Sequence, residues 1–175
     1  FKADISEAIQ AMFSSFADCK CTMPDSDSIV LVLHSASFSD ETVLHLEQTA
    51  KNALSSVSRR YQICLCAGIS RTAAAVTDLH LAYRQAFFAA DCRMYQDSDE
   101  DLSDACVIRY DQVASLDQET LTYPQGAEKA LLSALKSLDA SRAGQACGDF
   151  IQELRSASPE IARLYLTQLC ASIAP

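Results

Sequence analysis

An apolar run of strand length, Tyr61 to Gly68, closes on a glycine, passes through a polar loop and gives way to an alanine-rich helical stretch from Val76 to Tyr95. A strand followed this closely by an amphipathic helix leaves few architectures open. The helix must return to the face of the strand it has just left, because both have apolar surface to bury. Leu79, Ala82, Tyr83, Ala86, Phe87, Ala90 and Met94 recur on one helical stripe, while Asp78, Arg84, Gln85, Asp91 and Arg93 fall opposite. The spacing therefore predicts that Tyr83, Ala86 and Phe87 pack on a sheet, with the small residues Ala82, Ala86 and Ala90 permitting close approach. Gly68 is the only glycine before Gly126. That excludes a glycine-rich phosphate cradle in this part of the chain and gives Gly68 a role at the strand exit.

The flanking residues extend the pattern. Phe1 to Phe16 reads as a helix, since Ile5, Ile9, Met12, Phe13 and Phe16 recur at spacings of three and four. Cys19 to Met23 and Ile29 to His34 read as strands, and the turn-forming run Pro24-Asp25-Ser26-Asp27-Ser28 joins them into a hairpin. Ser39 and Asp40 are N-caps for a helix to about Val57, with Val43, Leu46, Ala50, Ala53, Leu54 and Val57 on its inner face. Thr77 is the expected cap of the Val76–Tyr95 helix. Gln96 to Asp104 carries five acids and no base and reads as a solvated loop; Ala105 to Tyr110 reads as a last strand.

After residue 112 no strand pattern recurs. Ala127 to Leu138 forms one apolar stripe, through Ala127, Leu131, Ala134, Leu135 and Leu138. Ser141 to Leu154 forms a second, through Ala143, Cys147, Phe150 and Leu154. Ser158-Pro159-Glu160 opens a third helix: a capping serine, a proline at the first helical position and an acid at the positive end of the dipole. Its inner face is Ile161, Leu164, Tyr165, Gln168, Leu169 and Ile173. The expected organisation is an α+β domain over residues 1–112 and a helical segment over 113–175.

Composition narrows the function. The net charge of −9 argues against a nucleic-acid surface, which needs clustered Lys and Arg; Arg59-Arg60 is the only adjacent basic pair. No apolar run reaches the ~18 residues of a membrane span. The eight cysteines include two C-x-C pairs, Cys19/Cys21 and Cys64/Cys66, each expected to share a strand face. Structural zinc sites favour wider knuckles with turn residues, so the thiols read as reduced, metal-free packing groups in a reducing cytoplasm. The chain opens on Phe1 rather than Met, which reads as a piece of a longer protein.

Gly68-Ile69-Ser70, followed by Ala82-Tyr83-Arg84-Gln85-Ala86-Phe87-Phe88-Ala89-Ala90, resembles the S-x-G-I-S … S-Y-x-E-A-x-x-A-L segment of degenerate GGDEF-like domains. Such domains lie in the middle of AraC-type response regulators and of sugar-diacid-type transcription regulators. Tyr123-Pro124 and Glu128-Lys129-Ala130-Leu131-Leu132 are similar to the helical segment that leads, in the AraC-type proteins, towards a DNA-binding domain. The resemblance implies a ferredoxin-like palm of GGDEF type, its first strand falling before Phe1, followed by an all-helical extension. It implies a cytoplasmic, non-catalytic signal-relay module of a two-component transcription regulator. The partners it implies are a receiver or sensor upstream, a helix-turn-helix domain downstream and a homodimeric copy, with no nucleic-acid or membrane contact from these residues.

The same resemblance locates the residues to inspect for chemistry. A GGDEF cyclase holds magnesium with two acids and carries a Gly-Gly-acid-acid-Phe turn before an apolar strand. The corresponding run here is Asp25-Ser26-Asp27-Ser28-Ile29. Both glycines are replaced, which obstructs close approach to a nucleotide. Ser28 replaces the second acid, and a hydroxyl is a poor magnesium ligand beside a carboxylate. Phe16 and Cys19 occupy the positions of the inhibitory Arg-x-x-Asp motif. Asp25 and Asp27 are the remaining metal candidates, against the plainer reading that Asp and Ser are ordinary turn residues. His34, His45 and His80 lack metal-ligand spacing, and no G-x-S-x-G nucleophile occurs. The expectation is no catalytic residue and no cofactor. The alternatives are a nucleotide-binding or cyclase-related remnant, and a small-molecule sensor.

Overall fold

The computed structural model describes residues 2–13, 16, 18–35, 39–95, 106–117 and 122–173. The chain divides into two compact units, Phe1–Tyr110 and Asp111–Pro175.

The first unit is α+β, as expected. It comprises α1 (Lys2–Met12), β1 (Asp18–Thr22), β2 (Val30–His34), α2 (Asp40–Tyr61), β3 (Cys66–Ile69), α3 (Leu79–Asp91) and β4 (Cys106–Arg109). The expected hairpin forms: β1 and β2 pair antiparallel, from Asp18↔His34 to Thr22↔Val30. β3 and β4 pair parallel, with Cys66 opposite Cys106 and Gly68 opposite Ile108. Among the described residues the sheet thus comes as two separate pairs. Their common core lies under α1 and α2, where Ile5, Ile9, Phe13, Ala50, Ala53 and Val57 are buried. Cys19, Leu31 and Leu33 of the hairpin and Val107 of β4 pack against it.

The ends of α2 show how local chemistry sets the elements. Ser39 has extended backbone, and its hydroxyl accepts from the Thr42 N–H at 3.2 Å. Asp40 and Glu41 occupy the first turn, and Arg59 and Arg60 the last, each at the favourable pole of the dipole. The helix outruns its expected end at Val57 and stops where Gln62 turns left-handed at φ 54°, with the Ile63 N–H reaching back to the Ser58 carbonyl at 3.3 Å. Tyr61 therefore belongs to the helix, and the strand expected from Tyr61 is only the four residues of β3.

The α3 region corrects a second expectation. A 3₁₀ turn over Val76–Asp78 precedes it and another over Cys92–Tyr95 follows it, and Thr77 provides no side-chain cap. The buried residues are Phe88, Ala89 and Cys92, whereas Tyr83 is 40% and Phe87 45% exposed. The inner face is turned by roughly 100° from the expected stripe, one residue's rotation. The close approach expected of Ala86 and Ala90 is nonetheless present, at Gly68. A Cβ added there would lie 1.8 Å from the Ala86 carbonyl oxygen and 2.6 Å from the Ala90 nitrogen, so the helix backbone itself lies on the strand. Gly68 is thus a seat for α3 rather than a strand exit. Phe88 packs inward, edge-on to Tyr110 at 6.1 Å. Because side chains alternate along a strand, α2 and α3 cover opposite faces of the β3–β4 pair.

The expected acidic loop Gln96–Asp104, and Ala105, lie outside the described residues. The expected first helix stops at Met12, with residues 14 and 15 also outside.

The short α4 (Tyr110–Val113) starts on the last residue of the first unit, and the second unit holds three longer helices, α5 (Gln125–Lys136), α6 (Ala140–Leu154) and α7 (Pro159–Ile173). Tyr123 packs edge-on to Phe150 at 5.8 Å and to Tyr165 at 5.1 Å, and Leu131, Ala146, Leu154 and Leu169 are buried in the same unit. Asp139 caps α6 by accepting from the Arg142 N–H at 3.1 Å. Ser158 caps α7, its hydroxyl accepting from the Ile161 N–H at 3.4 Å, with Pro159 buried as the first helical residue. Leu138, expected on the inner face of α5, is 92% exposed and left-handed at φ 55°; it ends the helix rather than packing in it. Leu164, Gln168 and Ile173 are likewise outward-facing, and Ala162 takes the buried place on α7.

Candidate functional site

The connection between β1 and β2 is the place to look for chemistry, since it carries both metal candidates. Its structure is set by one side chain. Asp25 Oδ1 accepts from the Asp27 N–H at 2.8 Å and from the Ser28 N–H at 2.7 Å. Asp25 Oδ2 accepts from the Ser28 hydroxyl at 2.6 Å. This is an Asx-type turn, in which the side chain substitutes for a backbone carbonyl and locks the reversal. Both oxygens of Asp25 are committed to the turn, so a cation would compete with three short hydrogen bonds. Asp27 is exposed beside it. Ser28, at the second acid's position, spends its hydroxyl on Asp25. Asp25 and Asp27 are both exposed, but the oxygens of Asp25 already serve the turn, where magnesium chemistry uses a set of oxygen ligands.

The histidines remain apart. His34 at the end of β2 sits with Nδ1 3.8 Å from Asp18 Oδ2, and both side chains are largely exposed. His45 stacks on Phe16 at 5.4 Å, and His80 Nδ1 lies 2.8 Å from the Thr77 carbonyl. Among the described residues, no three His, Cys, Asp or Glu side chains gather in a metal-holding group.

The thiols do come together, in a way the sequence did not display. Cys19 and Cys21 share the inner face of β1; burial raises the Cys19 pKa, with Cys21 adding to it, and the Cys21 sulfur lies 2.9 Å from the Ser6 hydroxyl. Cys64 and Cys66 both address α3 and the turn after it: the Cys66 sulfur lies 3.6 Å from the Ala90 carbonyl oxygen, and the Arg93 guanidinium donates to the Cys64 sulfur. Arg93, expected on the outer face, is thereby drawn to the sheet edge. Cys106 completes the group, its sulfur 2.9 Å from that of Cys66. Nothing in the spacing signals this pairing, because the two cysteines are 40 residues apart and meet only through the parallel register.

A family model described as a GGDEF-like domain matches residues 2–92, just over half of the chain. The match spans α1 through α3 and includes the β1–β2 turn and the Gly68 seat. No curated protein and no solved structure matches the chain. Among the described residues, no helix is long and apolar enough to cross a membrane.

Proposed function

The chain belongs to the GGDEF-like domain family, and from that premise we propose that it is a non-catalytic signal-relay module of a bacterial transcription regulator, of the AraC-type response-regulator or sugar-diacid kind. The observation that carries this reading is the Asp25 turn. At the place where a cyclase presents two glycines and two acids, this chain has Asp25-Ser26-Asp27-Ser28, and the turn's own donors occupy both oxygens of Asp25. The side chains of Asp25 and Ser26 stand where the nucleotide would approach the backbone. What remains is a packed α+β scaffold followed by a helical unit, suited to passing a change of shape rather than to turning over a substrate. The partners on this reading are the other domains of one polypeptide: a receiver or sensor before it, a helix-turn-helix domain after it, and a second copy in a dimer.

Two measurements test this. Titration of GTP with magnesium into the protein is expected to give no binding heat and no cyclic dinucleotide. Product formed above a heat-killed control would restore the cyclase-remnant alternative. The coding sequence on either side of this segment is expected to specify a receiver or sensor module and a helix-turn-helix domain; a catalytic domain on either flank would argue against relay to transcription.

A further inference from the structure

The thiol group at the β3–β4 edge lies on the far side of the sheet from the α1–α2 core and plays no part in the turn just described. Cys66 and Cys106 are direct register partners on parallel strands. Neighbouring strands run about 4.8 Å apart, inside the 4.4–6.8 Å Cα separation that a disulfide spans without moving the backbone. Their sulfurs already stand 2.9 Å apart, and neither is in a disulfide. Arg93 adds a fixed positive charge, anchored on the exposed Cys64 sulfur and acting on Cys66 and Cys106 as well. Cys19 and Cys21, by contrast, are two apart on one strand, not register partners on neighbouring strands.

We infer that Cys66 and Cys106 are a reversible oxidation site, a dithiol converted by hydrogen peroxide to a disulfide across β3 and β4. In the first step the Cys106 thiolate attacks a peroxide oxygen. The S–O bond forms, the O–O bond breaks, and the departing hydroxide takes up a proton as water, so that Cys106 becomes a sulfenic acid. In the second step the Cys66 sulfur attacks that sulfur. The S–S bond forms, the S–O bond breaks, and hydroxide leaves as water with the proton Cys66 gives up. Two thiols and one peroxide thus give one disulfide and two waters. The electrostatics favour the first step. The hydrogen bond from Cys66, with Arg93 adding to it against the cost of burial, brings the Cys106 thiol down to about 7, whereas the shared hydrogen bond and burial push the Cys66 thiol up. The pair therefore releases one proton readily and holds the other, giving one thiolate to attack and one thiol to resolve. The inference is independent of the regulatory reading, since it concerns only the chemistry of this sheet edge.

The test is peptide mapping of the intact chain. Fully reduced protein is treated with hydrogen peroxide, blocked with N-ethylmaleimide and digested without reductant. The expected product is a Cys66–Cys106 linked peptide, two hydrogens lighter than its parts and released by dithiothreitol. Cys66→Ser should abolish the link and leave a Cys106 sulfenic acid that dimedone captures, while Cys64→Ser should leave the link intact. Arg93→Gln should shift the pH profile of the reaction upward and slow it at neutral pH, by about fivefold if the Cys106 pKa rises by one from about 7, with partial rescue in Arg93→Lys. Peroxide-treated wild-type protein in which both thiols still take up maleimide, or in which the bridge joins Cys64 instead, would overturn the inference. Because that result comes from the unmodified chain, it stands even if a variant fails to fold.

Discussion

Replacing Gly68 by alanine adds one methyl group at the tightest point of the first unit. That methyl would sit 1.8 Å from the Ala86 oxygen, 2.6 Å from the Ala90 nitrogen and 2.8 Å from the Ala86 carbonyl carbon. Ordinary contact begins at 3.4 Å, so α3 must retreat by roughly 1.6 Å. No rotamer change relieves this, because the obstacles are backbone atoms on consecutive turns of one helix. The retreat also unpacks Phe88, Ala89 and Cys92, the buried face of α3 and of the turn that follows it. Overpacking typically costs about 1–3 kcal/mol, and a backbone-limited case belongs at the upper end, about 3 kcal/mol. The chain's other glycines supply the control, since an added Cβ at Gly144 or Gly148 meets nothing within 4 Å. Both lie inside α6, where Gly→Ala should stabilise by about 0.5–1 kcal/mol. The chain has no tryptophan, but Cys92 is a buried reporter beneath α3. Its alkylation under native conditions should rise about a hundredfold in Gly68→Ala, as 3 kcal/mol corresponds to two powers of ten. A Gly68→Ala protein as stable as Gly144→Ala, with Cys92 equally protected, would refute the claim that α3 is seated on a bare backbone.

The orientation of α3 gives a paired prediction: Phe88→Ala should cost about 3–5 kcal/mol and Phe87→Ala less than about 1, read from urea midpoints, and the reverse order would restore the stripe expected from spacing. Leu138 is left-handed and 92% exposed, so Leu138→Gly should raise stability by about 0.5–1 kcal/mol in the same assay. Burial, with the Glu128 carboxylate nearby, raises the Tyr123 phenol to about 12. Its folded value lies above the ordinary 10, so its contribution is fully present below pH 10 and is lost as pH rises through about 12; an ultraviolet titration should show one late phenolate that Tyr123→Phe removes.

The elements that sequence reasoning placed well carry local signals. Ser39 and Ser158-Pro159-Glu160 announce helix starts through groups within three residues of one another, and the Pro24–Ser28 turn announces its hairpin. α3 was harder because its sequence contains two competing faces of similar period. Leu79, Tyr83 and Phe87 form one, and Phe88, Ala89 and Cys92 form the other. Periodicity cannot choose between them, and the contact of Gly68 with the Ala86 and Ala90 backbone falls on the expected stripe; the choice rests with the packing of Phe88 against Tyr110. The left-handed ends at Gln62 and Leu138 escaped notice because neither is glycine, the residue that usually marks such a stop. At the signature turn, the substitutions were plain in the sequence, but the three hydrogen bonds that commit Asp25 to the turn were not. The thiol pair was illegible because its proximity depends on which strands pair and in which register, and both are decided by the whole unit.

The same register has a kinetic consequence. Thr22 and Val30 meet across a short connection, while Cys66 and Cys106 are 40 residues apart. Closing the longer loop costs about 1.4 kcal/mol more entropy, and it yields no pairing until α3 has formed in between. The hairpin can close within microseconds from local contacts, whereas the parallel pair must wait for a helix to bridge it. Pulsed hydrogen exchange during refolding should therefore protect the hydrogen-bonded amides of the β1–β2 ladder before those of the β3–β4 ladder. Until that later step is complete, the nascent chain presents two unpaired strand edges to its neighbours, and the order in which its strands find their partners sets how long it remains exposed to aggregation.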